Sequence, residues 1–182
     1  DLDLQMIDAY NEGLNLLDNN YPIRAAKKFN EAELLYPQSL WAPRSSLMSA
    51  YSYYYGSYYF DAIEELNRFI EIYPNHERIV YAYYLLGMCH YEQISDEKKD
   101  LGSIIDAQQN FKYVLNNYPD SDFALDSEFK LQLIKEILAS KEMYLAKYYI
   151  DREKWIPAIN RYKNILDKFE TTIYVEEALH RL

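Results

Sequence analysis

Cysteine occurs once in 182 residues, at position 89, and there are only four glycines and six prolines. One thiol excludes an internal disulfide framework and a Cys-rich zinc site. So few glycines and prolines argue against a many-turned β-sandwich and for helices, which need fewer breakers. Positive charge is also scarce. The formal net charge is −10, which argues against nucleic-acid binding, because phosphate contacts need Lys and Arg to release counterions. No apolar run reaches the length of a membrane span, and the N-terminus carries no signal-peptide pattern. Catalytic signatures are missing as well. The three histidines, His76, His90 and His180, belong to no H-E-x-x-H pair and no Cys/His cluster. There is no G-x-S-x-G and no Gly-rich phosphate loop. The sequence therefore reads as a non-enzyme without cofactor or metal. The acidic runs Glu64-Glu65 and Glu176-Glu177 read as solvated helix faces. His90 reads as core or groove lining, and His76 as a cap or surface residue at a helix start.

What is present is 49% hydrophobic residues, 21 tyrosines and a repeat. Pro37, Pro74 and Pro119 each follow a tyrosine, at Tyr36, Tyr73 and Tyr118. Eight residues before each proline stands a large apolar residue: Phe29, Leu66, Phe111. Four residues earlier stands an alanine: Ala25, Ala62, Ala107. A small residue recurs upstream at Gly13, Ala50 and Gly87. The first two units keep a period of 37, and a fourth unit reads Ala146, Tyr149, Ala158, Tyr162. In physical terms the small residue and the alanine let two helices approach closely, and the large residue fills the space beside that contact. Proline then ends the second helix. Each pair buries only part of its apolar surface, so pairs must stack.

This pattern predicts helices over 3–18, 22–36, 40–56, 59–73, 76–93, 103–117, 121–152, 155–168 and 172–182. Pro22, Pro43 and Pro157 fall in first turns, where proline is tolerated. The stretch from Ile94 to Ile105 reads as a long solvated loop. The 14 extra residues between Pro119 and Ala146 read as four added turns of one long helix, capped at Asp120/Ser121. The units run over 1–38, 39–75, 76–119 and 120–170, with a fifth begun at 171–182. The array reads as cut inside its fifth unit.

These landmarks match the tetratricopeptide pattern. A closer resemblance covers nearly the whole chain. The segments FNEAELLYP, LNRFIEIYPNH, FKYVLNNYPDS and SKEMYLAKYYIDREKWIPAINRY resemble the BamD (ComL) family. Those are the tetratricopeptide lipoproteins of the β-barrel assembly machinery at the periplasmic face of the outer membrane. RFI-x-x-YP-x-H and the run Lys141 to Tyr162 are the most specific pieces. The resemblance implies an all-α, right-handed α-solenoid of four complete repeats plus the start of a fifth. It implies a scaffold that binds BamA, other subunits of the machinery and unfolded outer-membrane proteins, held to the membrane by a lipid anchor. The lipid-modified N-terminal Cys of the family is not in this sequence, and Cys89 lies inside a helix. Another tetratricopeptide adaptor, in the cell envelope or as a chaperone cofactor, is the alternative.

In such arrays one face of each first helix lines a concave groove. Offsets of −6, −3, +1, +4 and +5 from each small residue share one helical face. Among the residues they select are Tyr10 in unit one, and Arg44, Leu47, Tyr51, Tyr54 and Tyr55 in unit two. In unit three they select Tyr81, Tyr84, Met88 and Tyr91. Tyrosine supplies apolar area at low entropy cost and a hydroxyl for peptide backbone. Arg44 is suited to a carboxylate. The opposing expectation is that some of these rings pack between neighbouring helices. The resemblance further implies that Asn160 and Arg161 lie on the surface contacting the POTRA region of BamA.

Overall fold

The computed structural model describes residues 2–94 and 101–182, and all its regular elements are helical among those residues. In chain order these are α1 (Leu2–Asp18), α2 (Pro22–Leu35), α3 (Ala42–Tyr55), α4 (Tyr59–Ile72) and α5 (Ile79–Glu92). They continue with α6 (Gly102–Asn117), α7 (Asp122–Ile150), α8 (Trp155–Lys168) and α9 (Val175–Arg181). Each helix packs chiefly on its sequence neighbours, as a tetratricopeptide-like stack of helix pairs requires. The core of the expected loop, positions 95–100, lies outside the described residues.

The repeat landmarks are the contacts between paired helices. A Cβ placed on Gly13 would stand 2.8 Å from Phe29 Cε1, and one on Gly87 would stand 2.8 Å from Phe111 Cε1. Each glycine thus opens the space its phenylalanine fills. Unit two uses Ala50 and Leu66 instead, both fully buried. A larger small residue is matched there by a smaller large one. Ala25, Ala62, Ala107 and Ala158 are buried at the helix crossings.

Helices α3, α5 and α9 begin two to three residues later than the sequence pattern predicts. The residues after each terminating position form one shared turn. Ser39, His76, Ser121 and Thr172 donate backbone N–H to the carbonyls of Tyr36, Tyr73, Tyr118 and Phe169. The side chains finish the turn. Ser39 Oγ accepts from the N–H of Trp41 and Ala42, and His76 Nδ1 accepts from the N–H of Arg78. Ser121 Oγ accepts from Ala124 N–H and caps α7, which runs unbroken for 29 residues.

The motif RFI-x-x-YP-x-H ties units one and two together. Arg68 donates to both Glu33 oxygens, at 3.0 and 2.6 Å, and also to Glu65 and Ser46. Tyr73 donates its hydroxyl to Glu33 at 2.9 Å. Burial, then this bond, pushes the Tyr73 phenol up to about 12. The guanidinium is pushed up by its bonds to Glu33 above all. Phe69 meets Tyr73 at 5.4 Å and His76 at 5.6 Å between ring centres. Glu33 is buried, and only this ring of donors makes a buried carboxylate tolerable. Glu65, read from sequence as solvated, belongs to the same network: it accepts from Arg68 and, between the two units, from Asn30 of α2.

Candidate functional site

The first helices α1, α3 and α5 leave a cleft of about 320 Å³ lined by Tyr10, Arg44, Leu47, Met48, Tyr51, Arg78 and Tyr81. Five of these, Tyr10, Arg44, Leu47, Tyr51 and Tyr81, are residues the repeat offsets select. Tyr10 is fixed edge-on between Phe29 at 5.2 Å and Trp41 at 5.1 Å. Burial pushes its phenol up, against the opposing pull of Arg44 and Arg78. Arg44 also stacks over the Trp41 ring at 5.7 Å. Tyr81 is held on Phe123 of α7 at 5.4 Å. The walls are aromatic and apolar, and two guanidinium groups face them.

Arg78 and Trp41 escaped the sequence pattern. Both stand nine residues before a small landmark, one turn ahead of the offsets used. Extending the same face by one turn finds them.

The remaining groove candidates divide. Tyr54 and Tyr55 continue the wall, on Tyr59 at 6.0 Å and Tyr51 at 6.3 Å, and Tyr55 is exposed. Burial foremost pushes the Tyr54 phenol up to about 12. Tyr84 is committed to α7: its hydroxyl donates to Asp126 at 2.6 Å and its ring meets Phe123 at 5.2 Å. Burial and then that bond push its phenol up. Tyr91 sits beneath Lys130, 5.0 Å from its ring centre. Met88 is only 8% exposed and belongs to the core.

On α8, Asn160 is exposed and Arg161 is half-buried. Arg161 donates to Glu142 of α7 at 3.3 Å, and Asn164 donates to the same carboxylate. Beyond it a cleft of about 480 Å³ opens between α7 and α9, with Tyr144, Lys147, Glu177 and Arg181 on its walls. A third cleft, of about 630 Å³, lies between α6 and α7 around Leu125 and Phe129.

A family model described as YfiO, outer membrane lipoprotein, matches residues 2–182. The chain belongs to this family. Among its relatives is the outer membrane protein assembly factor BamD of Rickettsia prowazekii, 35% identical over 173 residues. That match covers 95% of this chain and 69% of the relative. BamD of Caulobacter vibrioides is also 35% identical, with 95% and 57% covered. BamD of Neisseria gonorrhoeae is 29% identical over 180 residues, with 93% and 67% covered. The chain thus spans little more than half the length of the Caulobacter protein.

In this YfiO-family chain Cys89 is a core residue, and burial pushes its thiol up to about 12. Among the described residues no group of three or more His, Cys, Asp or Glu is placed to hold a metal ion. No helix among them is long and apolar enough to cross a membrane.

Proposed function

We propose that this chain is a non-enzymatic scaffold of outer-membrane protein assembly. It stands at the periplasmic face of the outer membrane, held by a lipid anchor. Its C-terminal helix pairs dock BamA, and its cleft between first helices receives unfolded β-barrel proteins. The observation that supports this most is the pairing of Arg44 and Arg78 with the Tyr10, Tyr51 and Tyr81 walls in a molecule of net charge −10. Aromatic walls suit an extended chain with an aromatic end, and two guanidiniums suit its terminal carboxylate. The names of the relatives, assembly factors of outer-membrane proteins, support the same reading.

The test is a titration with a synthetic outer-membrane-protein C-terminal strand ending in Phe. Arg44→Ala with Arg78→Ala should weaken binding about tenfold, the worth of one charge-assisted bond, and amidating the peptide should cost the unaltered chain a similar factor. Equal affinity in all three measurements would overturn the cleft reading. For the docking surface, Arg161→Glu should abolish pull-down of POTRA domains while circular dichroism stays unchanged. Undiminished pull-down would remove Arg161 from the contact.

A further inference from the structure

The extra turns of α7 leave one seat of the repeat without a helix. Counted 13 residues on from the terminating prolines, Gln132 of α7 matches Ala50 of α3 and Gly87 of α5. The register holds inside the helices. Eight residues earlier stand Ala42, Ile79 and Ala124, and two residues later stand Ser52, Cys89 and Ile134; all six are buried.

The side of the first helix that faces its own second helix differs. In unit two Ser46 accepts from Arg68 of α4. In unit three Tyr83 meets Tyr113 of α6 at 4.0 Å between ring centres, and Gly87 abuts Phe111. In α7 the matching Glu128 is exposed and Gln132 only half-buried. The second helix of unit four has moved along. Arg161 of α8 pairs with Glu142. The turn after α8 reaches back only to Gln132, bonded to Thr171 at 3.1 Å, and to Glu136, bonded to the Ile173 N–H at 3.3 Å. The 14 added residues carry α8 about 21 Å along α7, the length of a 14-residue helix such as α4. Residues 122–131, about three turns, are left bare on that side.

Helix α6 supplies the second wall. Gln108, Lys112 and Leu115 stand one, five and eight residues after Ala107. At those offsets α2 carries Ala26, Asn30 and Glu33, and there α4 lies over them. Asn30 donates to Glu65, Glu33 accepts from Arg68, and Ala26 and Glu33 are buried. The cleft of about 630 Å³ between α6 and α7 is therefore the place that a second helix fills elsewhere in the repeat. Leu125 and Phe129, four residues apart on its wall, are 74% and 59% exposed.

We propose that this seat takes an amphipathic helix of another protein, about three turns long, with large apolar residues at i and i+4 and acids beside them. The walls are spaced for a helix, because in units one and two the same positions hold one. A helix lays its apolar ridge into such a groove through anchors one turn apart. Charge selects the flanks. Lys112 and Lys135 stand on the walls against one acid, Glu128, a local positive excess in a chain of net charge −10. Acids on the incoming helix meet those lysines. The inference goes beyond the proposed function and rests on neither the cleft between first helices nor the Arg161 contact.

The probe is the sequence of α4, YFDAIEELNRFIEI, as a fluorescent peptide held helical by a lactam bridge on its exposed side. This helix already packs on the matching walls, and its four acids against one arginine suit the two lysines. The full chain should bind it, read as a rise in anisotropy. Leu125→Ser with Phe129→Ser should weaken binding about tenfold, with an unchanged circular dichroism spectrum because both sites are exposed. Lys112→Glu with Lys135→Glu should weaken it about fivefold at low salt and less at high salt. Arg44→Ala with Arg78→Ala should leave this binding as it is. No binding by the unaltered chain would overturn the proposal, as would equal affinity in the serine variant. Binding lost in the arginine variant alone would put the peptide in the cleft between first helices, and overturn it too. So would sedimentation of the unliganded chain as a dimer that the serine substitutions dissolve, which would give the seat to a second copy. The strand-peptide titration and the POTRA pull-down use neither this helix nor these residues, so their failure and this one are separable.

Discussion

Asn20, Ser57 and Glu153 hold φ of 63°, 62° and 58°. All three stand five residues before a second-helix alanine. Around Ser57 the Tyr58 N–H reaches back to Tyr53 and the Ser57 N–H to Tyr54, both at 2.9 Å, which closes a Schellman motif on α3. Glycine is the usual residue there, because a Cβ costs about 1–2 kcal/mol in the left-handed region. None of the four glycines takes such a position, so no glycine in the sequence marks these helix ends. Ser57→Gly should remove the penalty and lose part of the gain to unfolded-chain entropy. A net gain of about 0.5–1 kcal/mol is expected, read as a higher midpoint in thermal unfolding. An unchanged or lower midpoint would show that the left-handed serine carries no strain. The terminating turns were legible only in part: Ser121 and His76 read as caps from the sequence, Ser39 and Thr172 did not. Ser39, His76, Ser121 and Thr172 share one turn, yet four residues of three types give no common letter to find.

Between elements, the decisive contacts are the small–large pairs, and these were legible because each lies within one helix pair at a fixed spacing. Gly87→Ala brings a Cβ to 2.8 Å from Phe111 Cε1 and 2.9 Å from Cδ1. Overpacking of this kind costs about 1–3 kcal/mol, against a helix-propensity gain of about 1 kcal/mol. Adding Phe111→Leu recreates the Ala50–Leu66 arrangement of unit two. The double variant should therefore be more stable than the two single losses sum to, with a coupling of about 1 kcal/mol in urea unfolding. Strict additivity would mean the two side chains do not share that space. The Arg68–Glu33–Tyr73 network was not legible, since Glu33 lies 35 residues from Arg68 and looks like any helix-surface acid. The motif around Arg68 marked the family without revealing that its partner was a buried carboxylate one unit away.

Across the whole molecule, the buried side chains form separate clusters. One joins α3 to α7 through Leu66, Phe69, Phe111 and Ile134. Another, of Ala146, Tyr162, Ile165 and Ala178, holds α8 and α9 on the far end of α7. A stack whose parts touch only their neighbours opens in pieces. Amides of α8 and α9 should exchange hydrogen through an opening of lower free energy than those of α4 to α6. Native-state exchange in low denaturant would measure this, and one shared opening energy for all helices would contradict it.

The sequence by itself determined where every helix lies to within a few residues, which residues sit at the crossings, and the family. Those features depend on neighbours within about 40 positions, a spacing that a repeat displays in the open. Only the tertiary structure decided which tyrosines line a cleft and which are spent on packing. Tyr51 and Tyr84 obey the same helical offset rule, and differ because α7 presents Phe123 and Asp126 to Tyr84. Scarcity, read along the chain, excluded chemistries. The use of what was abundant was settled by the helices that the fold brings alongside.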